Sequence, residues 1–192
     1  MRFHLTRKLA AAIKCDLQTA PAAETPAPQG NWYANIYTQD RRPRILFVHE
    51  ASLLALLCYK RGVTDGRSLA AAFDEALRGY LGPVGLLEPY LLSLDDNEAL
   101  SNEICRTGSR SVLGVMNEYI FMSRDVIDDN SGNFNLYMME YLNVMPMGPL
   151  KMARPCDRFI EILSARLARI GGRLNPPSDR SDPAMMAFYR FS

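Results

Sequence analysis

No stretch of this chain is apolar for long enough to cross a membrane. The longest run, Ala51 to Tyr59, is broken by Ser52, and a spanning helix needs roughly 18 to 20 apolar residues. An excess of one charge is missing too. Lys and Arg number 22 against 21 Asp and Glu, a formal net charge of +1. That balance lacks the basic field of a typical nucleic-acid binder, so nucleic acid is not the expected partner. Histidine is scarce, with only His4 and His49. His49-Glu50 does not open an H-E-x-x-H zinc motif, because position 53 is Leu. The four cysteines, at 15, 58, 105 and 156, contain no C-x-x-C pair and so suggest neither a metal site nor a dithiol centre. They are expected to be reduced in a cytoplasmic protein. There is no G-x-S-x-G nucleophile elbow and no G-x-x-x-x-G-K phosphate loop. Asp128 to Asn133 is acidic, but Gly132 is not at the sixth position of a calcium loop and no Glu closes the frame. No metal, no cofactor and no catalytic residue is therefore expected. Arg2, Arg7, Lys8 and Lys14 precede the first acid, Asp16, as in a targeting peptide. The apolar stretch Leu9 to Ile13 has five residues, whereas a secretory core needs about 7 to 15, and the segment is read as structure.

What is present is an ordinary globular composition: 48% hydrophobic and 22% charged in 192 residues. One domain is the default at this length. It is placed at residues 1–171, with a Pro-rich internal loop at 19–31 and a mobile tail at 172–192. The tail ends in an apolar, aromatic segment, Met185 to Phe191, suited to docking on the body or on a partner. Strands are expected at Phe3 to Thr6, Trp32 to Thr38 (alternating, hence half-buried), Arg44 to His49, Ser52 to Tyr59 and Asn102 to Arg106. Helices are expected from Thr6 to Lys14, Ser68 to Leu81, Leu86 to Leu92, Ser111 to Arg124 and Leu136 to Leu142, and from Pro155 to the Gly171-Gly172 stop. Asp40-Arg41-Arg42-Pro43 and Asp95-Asp96-Asn97 read as turns. The fold class is α+β, a small, mostly antiparallel sheet packed by helices.

Two groups of arginines carry the available chemistry. Arg41, Arg42 and Arg44 cluster at a hairpin. Arg106 and Arg110 flank Thr107-Gly108-Ser109 just before a helix start, where backbone N–H groups and the helix dipole favour anions. Ser109 and Ser111 add hydroxyl donors. If the hairpin tip folds over the helix start, these residues form a phosphate or carboxylate pocket. Otherwise Ser109 or Ser111 is a helix cap and the arginines are solvated. Glu118, Asp125, Asp128 and Asp129 lie along and after one helix and read first as a solvated face. Ten Met, nine Tyr and eight Phe read first as core and second as an adaptable binding surface.

Four segments in order resemble a known family. Phe3-His4-Leu5-Thr6 with Lys8-Leu9 is similar to its F-x-x-T-x-K-L opening. Trp32-Tyr33-Ala34-Asn35, followed by Arg41-Arg42 and the strand Ile45 to Val48, resembles its W-x-A-N segment and basic hairpin. Ser109-Arg110-Ser111-Val112-Leu113-Gly114-Val115-Met116-Asn117 resembles its N-R-S-V-L-G-S-M-N stretch. Leu142-Asn143, Pro146-Met147, Leu150 and Pro155 resemble its ending. The family is a group of bacterial proteins catalogued as a domain of unknown function, and the resemblance spans about residues 3 to 165. Pro43, His49 and Ser109 depart from its pattern. The resemblance implies no activity, but it places Trp32, Asn35, Arg41, Arg42, Arg110 and Asn117 in the family's most distinctive patches.

The expectation drawn from all this is a non-enzymatic cytoplasmic binding or regulatory protein, antitoxin-like or inhibitor-like, monomeric or homodimeric. It would meet a protein partner through the arginine segments. The alternative is an enzyme acting on a phosphorylated or nucleotide substrate held by Arg41, Arg42 and Arg110, with Glu118 or His49 as base. A nucleic-acid-binding protein is the third reading.

Overall fold

A computed structural model describes residues 1–17, 30–94, 103–124, 126 and 134–174. Most of the Pro-rich loop, the Asp95-Asp96-Asn97 turn, the acidic Asp128 to Asn133 loop and the tail from 175 onward lie outside the described residues. The elements are β1 (Arg2–Leu5), α1 (Arg7–Ala12), β2 (Asn31–Gln39), β3 (Arg42–His49), β4 (Ala55–Tyr59), α2 (Gly66–Leu81), α3 (Leu87–Ser93), β5 (Glu103–Arg106), α4 (Arg110–Ser123), α5 (Phe134–Val144) and α6 (Pro155–Arg169), with a 3-10 turn at Gly148–Leu150. The architecture is α+β. None of the helices described is long and apolar enough to cross a membrane.

The five strands form one sheet in the order β4-β3-β2-β1-β5. The sheet is mixed, which corrects the expectation of a mostly antiparallel one. β2 with β3 and β3 with β4 are antiparallel, but β1 is parallel to both β2 and β5. The reason is connectivity. Short connections join β2, β3 and β4 and force antiparallel pairing, whereas β1 reaches β2 through α1, and β5 follows α2 and α3. Such crossovers permit parallel pairs.

Local chemistry sets most boundaries. The β2–β3 loop is only Asp40-Arg41, both at positive φ (48° and 62°), the conformation of a two-residue hairpin turn that follows the twist of its strands. Arg42 and Pro43 therefore belong to β3 and not to the turn. Pro43 is tolerated because its carbonyl faces β4, accepting from Lys60 N–H at 3.0 Å. Its missing N–H would have pointed the same way, where β4 has already ended. β4 starts at Ala55 rather than Ser52, because Leu53 sits at φ 61° and Ser52 is used in a turn with His49. α2 starts two residues before the expected Ser68. Asp65 is the cap, accepting from Ser68 N–H at 2.7 Å while Ser68 Oγ accepts from Asp65 N–H at 3.0 Å, a reciprocal capping box.

Both faces of the sheet are covered, so β2 is buried on both sides rather than one. On one face the rings of Phe3, Trp32 and Phe47 meet Phe73 of α2 at centroid distances of 5.0, 4.9 and 5.2 Å, edge-on, as aromatic quadrupoles prefer. Phe159 of α6 closes one end against His49 and Tyr90. The opposite face, with Tyr33, Tyr37 and Leu46, packs under α4. The β4 edge is covered by α5. Asn143, fully buried, donates from Nδ2 to the Ala55 carbonyl at 2.9 Å and accepts from Ala55 N–H on Oδ1 at 2.7 Å. It bonds that edge residue as a neighbouring strand would. Met116, Met138, Met139 and Met147 are core, as the first reading held, while Met152 is 66% exposed.

Candidate functional site

Alternation along β3 puts Arg42 and Arg44 on one face of the sheet. Across the ladder Arg44 is paired with Tyr59. β4 ends at Tyr59, and Arg61 lies in the turn just past the Lys60–Pro43 hydrogen bond, lining the same cleft as Arg42. Three arginines thus lie near one tyrosine, forming a block at the hairpin end of the sheet. Arg44 is fully buried. Its guanidinium lies between two rings, 4.0 Å from the Phe134 centroid and 4.6 Å from that of Tyr59, and it donates to Asn135 Oδ1. This cation–π sandwich fastens the first turn of α5 to the sheet. Beyond it the block opens into a cleft of about 540 Å³ lined by Arg42, Pro43, Tyr59 and Arg61, within the size range of small-ligand sites. Arg41 projects from the adjoining tip and is exposed.

The second arginine segment is elsewhere. Ser109 N–H donates to the Tyr33 hydroxyl at 3.2 Å near the start of β2, whereas Gln39 at the hairpin donates to the Val126 carbonyl just past the end of α4 at 3.0 Å. α4 therefore runs the length of β2. Its 14 residues span roughly 21 Å, which separates Arg110 from Arg41 and Arg42. The shared pocket of hairpin tip and helix start is not formed.

At the helix start two donors are already engaged, as in the capping alternative. The Ser109 hydroxyl caps Val112 N–H at 3.3 Å, and Tyr33 already takes Ser109 N–H. Arg106, Arg110 and Ser111 are exposed around this corner. Trp32 is core, its indole N–H donating to the Tyr90 hydroxyl at 3.0 Å. Asn35 Oδ1 accepts from Thr6 Oγ at 2.8 Å and from Ile36 N–H at 2.9 Å, so it joins β1 to β2. Asn117 is exposed on the outer face of α4.

A polar cluster that the sequence reading missed fills the corner beside α4. Tyr33 donates to Glu50 Oε1 at 3.1 Å, and Asn31 donates to Glu50 Oε2 at 2.8 Å. Burial and the Glu50 carboxylate push the Tyr33 phenol up to about 12, so it stays protonated. The His4 ring stacks on Tyr33, with centroids 4.6 Å apart. Its Nδ1 lies 3.2 Å from the Arg106 carbonyl, an acceptor, so Nδ1 carries the proton and Nε2 a bare lone pair, buried and without a partner. Burial lowers the His4 pKa below 6.5, outweighing the Arg106 carbonyl and Glu50, which raise it. Between that lowered value and 6.5 the unfolded chain binds more protons than the native one, so stability is full above pH 6.5 and falls on acidification. Urea midpoints measured from pH 7.5 down to 5 are expected to drop, and the drop to shrink in His4→Gln. An unchanged pH slope in that variant would overturn the assignment.

The enzyme alternative needed a base beside the arginines, and its two candidates are not placed together. His49 is on an interior strand rather than at a sheet edge. It is 1% exposed, with its Nδ1 2.8 Å from Ser52 Oγ. Glu118 is exposed on α4. All four cysteines are free. Burial pushes Cys58 and Cys156 up to about 12, far from the thiolate range. Of the expected site residues, then, Arg42 lines the cleft, with Arg41 on the adjoining tip. Arg61 and Tyr59 complete it, and the only sequence signal for them is the alternation of Tyr59 and Arg61 after an apolar strand. No curated protein and no solved structure matches this chain. Residues 2–158 match the family described as Domain of unknown function (DUF6933). With most of its length inside that match, sheet and cleft included, the chain belongs to this family.

Proposed function

We propose that this chain is a non-enzymatic binding protein, regulatory or inhibitor-like and cytoplasmic, which recognises a protein partner through the hairpin end of its sheet. One observation carries the reading: groups suited to recognition collect at that end, and neither candidate base, buried His49 or exposed Glu118, lines the cleft there. Exposed Arg42 and Arg61 line the cleft, and exposed Arg41 projects from the tip beside it. α4 ends and α5 begins at the same end, bringing Phe121 (66% exposed) and Tyr137 (53% exposed). Arginine and aromatic side chains are the residue types that dominate binding energy at interfaces.

The test is capture from a lysate of the source cell with tagged wild type and Arg41→Ala/Arg42→Ala/Arg61→Ala, with and without nuclease, read by mass spectrometry. The expected result is a stoichiometric protein partner that survives nuclease and is lost in the triple variant. A partner retained by the variant would place recognition elsewhere. Capture that disappears with nuclease, and weakens steeply with salt, would replace this reading with nucleic-acid binding. Recovery of no macromolecule would favour the enzyme alternative.

A further inference from the structure

We propose that this chain's own apolar segment Met185 to Phe191 adds as a further strand to the outer edge of β5 and fills the groove between that edge and α2. The idea is independent of the hairpin-end reading. The first argument is the state of the edge. Glu103 N–H donates to the Met1 carbonyl at 3.1 Å, and Thr107 N–H to that of Leu5 at 3.4 Å. Alternate residues of a strand face a given neighbour, so Glu103, Cys105 and Thr107 face β1 while Ile104 and Arg106 face away. Among the described residues β1 is the only strand paired with β5. The Ile104 N–H and carbonyl and the Arg106 N–H are thus directed at the position of a next strand. Proteins generally cover or blunt such an edge. The charge of Glu103, which would discourage pairing, is already matched by Arg2 at 2.8 Å.

The second argument is the groove beside that edge. At Gly66 the helix touches the sheet, and a Cβ there would lie 2.6 Å from Ile104 Cδ1. Next to this contact a groove of about 680 Å³ lies between helix and sheet, with Met1, Phe3, Ala70, Ala71, Phe73 and Ile104 among its walls. A strand bonded to β5 would run about 4.8 Å outside it and send every second side chain to the α2 face. Free backbone groups beside an apolar groove are the two halves of strand addition. The ladder supplies affinity, and the groove selects alternate side chains.

The third argument identifies the occupant. Leu174 packs against the core, and the chain continues beyond it. After Pro183 comes Met185-Met186-Ala187-Phe188-Tyr189-Arg190-Phe191, which holds neither Pro nor Gly and a single charge. Aromatic side chains suit strands, and one alternate line of the segment, Met185, Ala187, Tyr189 and Phe191, is wholly apolar. The reach is sufficient. Near the end of α6, Arg166 donates to the Ser93 carbonyl at the end of α3, and Gly172 N–H returns to the Leu167 carbonyl at 2.8 Å, which keeps the exit of the chain at that end. From Ser93 the chain itself reaches Glu103 in ten residues, and the stretch from Leu174 to Met185 is longer. A segment tethered in this way meets the edge at an effective concentration in the millimolar range, an advantage over any free peptide.

The test uses the full chain in two measurements. The first is amide hydrogen exchange read residue by residue. Phe188→Pro/Tyr189→Pro removes two adjacent N–H groups, one of which must face β5 in any strand pairing. The variant is expected to speed exchange at Ile104 and Arg106 by about tenfold and to leave β2 and β3 as in wild type. The second is photocrosslinking from p-benzoylphenylalanine in place of Phe191, in an equal mixture of isotope-labelled and unlabelled chains. Adducts are expected on Met1, Ala70, Ala71 or Ile104, within one chain. The proposal stands only if both results are obtained. Adducts joining labelled to unlabelled chains would overturn it and assign the edge to a second copy. Adducts on other elements, or exchange at Ile104 and Arg106 indifferent to the two prolines, would overturn it outright.

Discussion

Asn143→Ala is expected to lower the unfolding free energy by about 3 to 5 kcal/mol. The variant loses both hydrogen bonds to Ala55, at 2.9 and 2.7 Å. Worse, it strands an N–H and a carbonyl in a region where the side chain and Ala55 are fully buried. Each orphaned group costs roughly 1 to 3 kcal/mol, and the vacated volume adds a little more. For a chain of this size the melting temperature should fall by roughly 6 to 20 °C. Asn143→Asp separates hydrogen bonding from packing. Its carboxylate keeps the acceptor for Ala55 N–H but turns a second oxygen toward the Ala55 carbonyl. That variant should be at least as unstable as Asn143→Ala at pH 7 and should recover on acidification, when a protonated carboxyl can donate. Melting curves of the two variants at pH 7.5 and 5 decide it. An alanine variant within a degree or two of wild type would mean that α5 does not secure the β4 edge through this residue.

Arg44→Ala should cost a similar amount, about 3 to 5 kcal/mol, for a different reason. The side chain is fully buried and stacked between Phe134 and Tyr59. A desolvated cation–π contact is worth up to about 2 kcal/mol, the bond to Asn135 roughly 1 to 3 kcal/mol, and the lost volume leaves a cavity. Arg44→Lys keeps the charge but loses the flat fork and the sandwich, so it should recover only part of the loss. Arg44→Met fills the slot and can still contact both rings through sulfur, so it should be milder than Arg44→Ala. Chemical denaturation ranks the three. Hydrogen exchange adds the location, since the amides of the first turns of α5 should lose protection before those of β2 and β3. If Arg44→Ala matched wild type in both readouts, the stack would be an incidental contact.

The features that local periodicity encodes were legible in the sequence. The 3-4 spacing of Leu69, Phe73, Ala76, Leu77 and Tyr80 marked α2, and all five are buried. Thr6 and Pro155 marked helix starts correctly, whereas α4, expected from Ser111 with Ser109 or Ser111 as its cap, begins at Arg110 with Ser109 as the cap. What stayed hidden depends on pairings between distant segments. Nothing near Phe3 says that β1 lies between β2 and β5, so parallel pairing was missed. The alternation of Tyr33, Asn35 and Tyr37 with Trp32, Ala34 and Ile36 suggested a solvated face, because tyrosine and asparagine tolerate water. α4 covers that face instead. Arg110 looked like a partner for Arg42 because both stood in distinctive motifs, but position along α4 separates them. Arg61, which carries no motif, is the cleft neighbour instead, placed by the turn that follows β4. Asn143 stood in a quoted motif without a role, since only the fold shows that its amide meets the Ala55 backbone.

The sheet's unequal connectivity has a consequence during protein synthesis. β2, β3 and β4 are contiguous, and their ladder closes with short loops, so it can assemble soon after it leaves the ribosome. β1 emerges earlier than any of them, yet its second neighbour, β5, does not. Arg2 and Glu103, which pair in register and form an ion pair at 2.8 Å, lie 101 positions apart. Closing so long a loop is slow relative to hairpin formation. Until residue 106 has been translated, one side of β1 presents unpaired backbone groups, a template for misjoining with other nascent chains. That side carries Arg2 and begins at the charged end of the strand, and Lys8 and Arg7 follow directly after it. Like charges there oppose pairing between two copies of the same nascent segment, so the basic N-terminus that mimics an address label can act as a guard for an unfinished sheet.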